Sequence, residues 1–134
     1  MTEDCLFCKI ISKEIPSYIL YEDDEILVFL DINPITKGHA LFIPKKHIAN
    51  LCELKEEEIG FMKKLPAIAR KLKEVTGATG MNLIQNNGKD AGQVIFHIHF
   101  HLMPRHPNDG LTMLPPRTAL DKVGAEDLIN KFAQ

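Results

Sequence analysis

The sequence predicts an α+β domain: an antiparallel sheet with one long helix and short terminal helices. Two observations carry this reading. Short apolar runs bounded by turn residues recur along the chain, the punctuation of strands. Among them lies a single stretch, residues 55–75, whose apolar residues fall at helical spacing. At 134 residues the chain has the length of one domain. A chain this size buries roughly two thirds of its unfolded surface, so its core needs no disulfides.

The elements follow in order. Residues 5–13, Cys5-Leu6-Phe7-Cys8-Lys9-Ile10-Ile11-Ser12-Lys13, read as a short helix or turn ahead of Pro16. Residues 18–21 and 26–32 read as strands around the acidic tip Glu22-Asp23-Asp24-Glu25, so a hairpin is expected. Asn33-Pro34 marks a turn. After Gly38, residues 39–43 form a third strand ended by Pro44. In the long helix the apolar stripe is Ile59, Met62, Leu65, Ile68, Leu72 and Val75. Pro66 predicts a kink there, or the end of a first set of turns. Glu56, Glu57 and Glu58 suit the positive end of a helix dipole, and Gly77 suits a C-terminal stop. Residues 81–85 and 94–103 are the last two strands, joined by the polar loop 86–93. Pro107, Gly110, Pro115 and Pro116 make residues 106–118 a loop or arm before a last helix near residues 125–132. No repeat or low-complexity tract divides the chain, so residues 1–134 form one domain.

Charge and composition exclude several classes. Sixteen basic against eighteen acidic residues give a net charge of −2, and the basic residues are spread out. A nucleic-acid binder needs a basic stripe, so no nucleic-acid partner is expected. No apolar run approaches the roughly 18 residues of a membrane span, so no membrane partner is expected. The acidic start Met1-Thr2-Glu3-Asp4 leads into no long apolar run, unlike a secretory signal. Three cysteines make an odd number that argues against a disulfide framework. The simplest compartment is a reducing cytoplasm. Cys52 stands alone and reads as a small buried apolar residue.

The chemistry concentrates in histidine. Of six histidines, three alternate in His97-Ile98-His99-Phe100-His101-Leu102-Met103. In an extended strand alternate side chains share a face, so three imidazoles stand together with Ile98, Phe100 and Leu102 behind them. A neutral imidazole is a nucleophile near neutral pH, and its neighbour can supply a proton. Gly92 in the preceding loop lets an anion approach the backbone closely, and Asn86 and Gln93 offer neutral hydrogen bonds. No acidic residue lies beside the triad in sequence, so the strand itself does not repel a phosphate. This assembly points to phosphoryl or nucleotidyl transfer. Cys5-Leu6-Phe7-Cys8 is a second constellation. A Cys-x-x-Cys pair by itself is open to redox, metal-binding or buried-thiol readings.

The alternating histidines resemble the signature of the histidine triad family. Three further segments resemble its companions: Phe29-Leu30-Asp31-Ile32-Asn33-Pro34, Gly38-His39-Ala40-Leu41-Phe42-Ile43-Pro44-Lys45-Lys46-His47, and Asn86-Asn87-Gly88 through Ala91-Gly92-Gln93. Their order agrees over about residues 5–105, nearest to the bacterial-type branch related to the Hint nucleoside phosphoramidases. The resemblance implies the family's fold, a homodimer and a nucleotide substrate. It implies that His99 is the nucleophile at the α-phosphorus, that His101 contacts the phosphate and assists the leaving group, and that His39 orients the site. Asp31 would accept from ribose hydroxyls, Ile32 and its neighbours would line the base pocket, and Asn86, Gly92 and Gln93 would contact the phosphate region. Val94 stands where relatives often carry a Ser or Thr that reaches the phosphate. Met103-Pro104-Arg105 stands where typical Hint proteins carry a glycine pair. Relatives with the N-terminal cysteine pair complete a structural zinc site with an upstream histidine and the first triad histidine, which implies Cys5, Cys8, His47 and His97 here. No organic cofactor is implied. Two rival functions stand beside this one: a nucleotide sensor with incidental catalysis, and a zinc hydrolase using His97, His99 and His101 together as metal ligands.

Overall fold

The computed structural model describes residues 4–112 and 114–134. It contains helix α1 (Leu6–Ile11), strands β1 (Ile19–Glu22), β2 (Ile26–Leu30) and β3 (Ala40–Pro44), helix α2 (Leu65–Thr76), strands β4 (Gly80–Ile84) and β5 (Phe100–Arg105), and helix α3 (Lys122–Phe132). The strands form one antiparallel sheet in the order β1-β2-β3-β5-β4. The α+β class is as expected from the sequence.

β2 and β3 are buried along nearly their whole length because they are covered on both faces. On one face Ile26, Val28, Ala40 and Phe42 pack with Ile98, Phe100 and Leu102 against Phe61, Leu65 and Leu72. On the other, Leu27, Phe29, Leu41 and Ile43 pack against Cys5, Phe7, Cys8 and Ile10 of the α1 segment. Two-sided burial is why both strands read as continuous apolar runs rather than alternating ones.

The long helix differs from its sequence reading. Residues Glu56–Lys64 form a 3₁₀ segment, and the α-helix starts only at Leu65. Pro66 sets that boundary: it has no N–H to donate, which is harmless in a first turn and disruptive later. The tighter winding redirects the stripe. Phe61 is buried, whereas Ile59 and Val75 are exposed. Gly77 ends α2 in the left-handed conformation at φ 70°, as its position predicts. Cys52 is exposed rather than buried. It lies in the short 3₁₀ turn Leu51–Glu53, where its N–H donates to Asn50 Oδ1 at 3.1 Å.

The last strand is shorter than the alternation suggests. Residues 94–99 precede β5 and take no regular strand pairing. The N–H of Ile98 donates to the Ile48 carbonyl at 2.6 Å, and the Gln93 amide donates to the Ile95 carbonyl at 3.0 Å. These bonds draw the segment out of the sheet. Side-chain alternation survives: Ile98, Phe100 and Leu102 enter the α2-side core, and the three histidines face the α1 side.

Arg105 ends β5 as a bidentate partner of Asp109, both bonds at 2.7 Å. It also donates to Asn82 Oδ1 and to the Leu111 carbonyl, each at 2.7 Å. The arm is thereby tied back to the sheet edge, a task a glycine at this position cannot perform.

Candidate active site

A cleft of about 530 Å³ opens on the α1 face of the sheet. His99 and His101 stand at one part of its lining, with Asp31, Ile32, Asn86, Gly92 and Val94. Leu6, Phe7 and Ile10 of α1 supply an apolar part of the lining together with Phe29 and Leu41.

Backbone groups fix the tautomers. His99 Nδ1 lies 2.7 Å from the His97 carbonyl. A carbonyl only accepts, so Nδ1 carries the proton and Nε2 keeps its lone pair. Burial pushes the His99 pKa down from its ordinary value, against the opposing pull of that carbonyl and of Asp31. The ring is therefore neutral and nucleophilic near pH 7.

His39 and His101 form a relay. The Ile35 backbone N–H donates to His39 Nδ1 at 3.0 Å. A backbone N–H only donates, so His39 carries its proton on Nε2. That Nε2–H donates to His101 Nδ1 at 2.9 Å, which leaves His101 with its proton on Nε2. The pair is thus polarised so that His101 lines the cleft as a donor beside the His99 lone pair. Burial, with the adjacent His99 and His39, pushes the His101 pKa down to about 4.

Asp31 combines a turn role with a cleft role. One carboxylate oxygen accepts the Asn33 N–H at 2.8 Å, an Asx turn. The other lies 3.6 Å from His39 Nε2. Gln93 is different. Its Oε1 accepts from Gly88 N–H at 2.8 Å and Asn50 Nδ2 at 3.3 Å, and its Nε2 donates to the Ala49 and Ile95 carbonyls at 2.7 and 3.0 Å. With every amide group engaged, Gln93 braces the loop and does not line the cleft. This corrects its expected place among phosphate contacts. Gly92 does line it, at φ 88° with open space beside its Cα. Val94 lies at the cleft rim, 81 % exposed, and brings no hydroxyl there.

The expected metal ligands converge in a second cluster directly behind His99. Cys5 Sγ and Cys8 Sγ lie 3.5 and 3.6 Å from His97 Nδ1, His47 Nδ1 lies 3.2 Å from His97 Nδ1, and Cys8 Sγ lies 3.4 Å from His47 Nδ1. A tetrahedral zinc with bonds of about 2.3 Å to sulfur and 2.0–2.1 Å to nitrogen separates such donors by about 3.3–3.8 Å. The tautomer also suits a metal, because His97 Nε2–H donates to the Pro44 carbonyl at 2.8 Å and frees Nδ1. The donor set therefore fits zinc. Burial pushes the Cys5 thiol pKa up, the expected penalty for a buried thiolate without a cation.

His97, His99 and His101 do not form a shared metal site. Among the described residues the groups able to hold a metal are Cys5, Cys8, His47 and His97, and Asp31, His39 and His101. His97 turns toward the cysteines while His99 turns to the cleft. The hydrolase in which all three bind one zinc is thereby set aside. The α1 wall was missed in the sequence, although the apolar spacing of Leu6, Phe7 and Ile10 signals it.

These features define a protein that presents a free imidazole nitrogen and an imidazole N–H donor side by side in a small cleft. The HIT domain family matches residues 12–108, and the chain belongs to that family. It is 44 % identical over 130 residues to "Protein hit" of Bacillus subtilis, covering 96 % of this chain and 89 % of the relative. It is 44 % identical over 123 residues to the adenosine 5'-monophosphoramidase HNT1 of Saccharomyces cerevisiae, covering 90 % and 76 %. A crystal structure of a Streptococcus mutans UA159 protein superposes with a TM-score of 0.93 at 40 % identity, covering 99 % of this chain and 85 % of the other.

Proposed function

We propose that this HIT-family hydrolase cleaves a nucleoside 5'-phosphate derivative, an adenosine phosphoramidate, acyl-adenylate or dinucleotide, by two displacements at the α-phosphorus. The observation that carries the proposal is the bond from His99 Nδ1 to the His97 carbonyl. It aims a lone pair rather than a proton at the cleft. His99 Nε2 attacks phosphorus, the bond to the leaving group breaks, and a nucleotidyl-imidazole forms. The ring becomes cationic as it attacks, and the carbonyl on Nδ1 stabilises that charge. Water then attacks phosphorus and releases His99. His101 Nε2–H donates to the phosphoryl and leaving-group side, held there by His39. Asp31 offers the acceptor for ribose hydroxyls, and the α1 wall with Ile32 receives the base.

The cluster of Cys5, Cys8, His47 and His97 is proposed to hold a structural zinc that pins α1 to the active-site segment. It supplies no reacting group. The yeast relative's name, adenosine 5'-monophosphoramidase, supports the adenylate as substrate. A cytoplasmic homodimer completes the reading. The homodimer is supported by α3, which has no buried residue and presents Leu128, Ile129 and Phe132 on an apolar groove.

Hydrolysis of adenosine 5'-phosphoramidate by wild type and by His99→Ala, each with and without a chelator, tests the proposal. Turnover lost in the variant and retained in briefly chelated, still-folded wild type is expected. Loss on chelation alone, with the fold intact and substrate saturating, contradicts it.

A further inference from the structure

The segment that carries the two cysteines is also a wall of the cleft. Cys5 caps α1 by accepting the Cys8 N–H on its sulfur at 3.4 Å. The intervening Leu6 and Phe7, and Ile10 one turn on, line the cleft. A six-residue helix is far too short to persist alone in water. Its backbone bonds are local, such as Lys9 N–H to the Cys5 carbonyl at 3.1 Å and Ser12 N–H to the Cys8 carbonyl at 3.0 Å. What fixes α1 is therefore its side chains: the apolar cluster around Leu27 and Phe29, and the four converging donors.

Phe7 joins the two sites. Its ring meets His99 edge-on with centroids 5.0 Å apart at 85°, and meets His97 at 6.0 Å and 76°. It is 4 % exposed and also packs on Phe29 at 5.5 Å. The donor cluster thus reaches the His99 ring by two routes, the His97 carbonyl on Nδ1 and the T-shaped contact with the Phe7 ring.

We propose that metal occupancy and nucleotide affinity are coupled through α1, with Phe7 as the positioning residue that transmits metal binding to the His99 ring. The inference rests on the metal and nucleotide assignments above. A metal on Cys5, Cys8, His47 and His97 holds the wall against which a nucleotide packs. By reciprocity a nucleotide on that wall tightens metal binding by the same free energy at equilibrium.

The test uses the zinc-loaded chain and adenosine 5'-monophosphate, which is not turned over. Zinc affinity is measured against a competing chromophoric chelator, with and without saturating nucleotide. An increase of at least about fivefold is expected, the lower end of ordinary coupling. The nucleotide Kd should weaken by the same factor in the zinc-free chain. If that chain unfolds, the zinc-loaded comparison stands alone. Phe7→Leu should keep one zinc per chain while losing most of the coupling. The ¹⁵N signals of the His99 imidazole should move from one tautomer toward a mixture, in this variant with zinc bound. Zinc affinity unchanged by a nucleotide that does bind overturns the inference and leaves the proposed function in place. So does a Phe7→Leu variant with full coupling and an unchanged His99 signal. A chain that binds no zinc, or no nucleotide, overturns the underlying assignments together with the inference.

Discussion

The reactivity of the site is set by which nitrogen of each imidazole carries a proton. Three backbone groups and one ring–ring bond decide this: the carbonyls of His97 and Pro44, the Ile35 N–H, and through it the His39–His101 bond. Removing the relay should matter without touching the nucleophile. His39→Ala frees His101 Nδ1 to take the proton and turn Nε2 into an acceptor. A fall in kcat/KM of about 10²-fold or more is expected in steady-state assays, the usual worth of a positioned proton donor. The pH dependence follows from His101. Its pKa lies at about 4 in the fold and near 6.5 when unfolded. Stability is fully present above about 6.5 and is lost as pH falls through the window down to about 4, because the unfolded chain binds the proton first. Chemical denaturation at a series of pH values should show that acid loss reduced in His101→Gln. The histidine motif made these residues legible in the sequence. Their tautomers were not, because each depends on which backbone group or ring the fold sets against the imidazole, near in sequence for His99 and His39 and distant for His97 and His101. Gln93 shows the converse. Its residue type suits phosphate binding, and only the fold reveals that all its hydrogen bonds are spent on the loop.

Helices and strands place these groups through a few tight contacts. Gly38, ahead of β3, sits at φ 85°, and a Cβ there would meet Thr76 Cγ2 at 2.9 Å and Pro104 Cγ at 3.4 Å. Thr76 cannot swing away freely, since its hydroxyl donates to the Leu72 carbonyl at 2.8 Å. Gly77 has φ 70° but open space beside it. Gly77→Ala should therefore cost about 1 kcal/mol, the left-handed strain alone. Gly38→Ala should cost about 2–4 kcal/mol, with overpacking added. Urea unfolding of both variants checks the difference, and equal losses would show that the α2–β5 packing yields at Gly38. At this scale the sequence revealed strand and helix identities well, because periodicity reports burial. It placed the start of the last strand too early. Alternation continues through His97 and His99, but there the Ile98 N–H bonds to the Ile48 carbonyl and the His97 ring to the Pro44 carbonyl, with no strand partner. It also read one helix where Pro66 imposes a 3₁₀ segment and then an α-helix.

For the whole molecule, the sheet separates two jobs. Its α2 face is an ordinary apolar core, and its α1 face holds the donor cluster and the cleft. No helix among the described residues is long and apolar enough to cross a membrane. The arm after β5 leaves the sheet through the Arg105–Asp109 pair and ends in α3, whose Phe132 is 93 % exposed. An apolar helix face of this kind invites a partner, and a second copy of the chain is the partner proposed above. Phe132→Asp should then shift the light-scattering mass from dimer to monomer. A dimer that persists in the variant would place the interface elsewhere. Little of this was legible in the sequence, since an apolar stripe on a last helix fits core packing as well as an interface.

The central claim is that His99 becomes covalently bonded to phosphorus. Its most direct test is mass spectrometry of the chain quenched within its first turnovers of adenosine 5'-phosphoramidate, at alkaline pH, where phosphorus–imidazole bonds survive. One adenylyl group on the peptide bearing His99, absent from His99→Ala, is the predicted result. Turnover by an enzyme that never carries the group, with oxygen from water entering at phosphorus with inversion of configuration, would mean direct attack by water and would contradict the account.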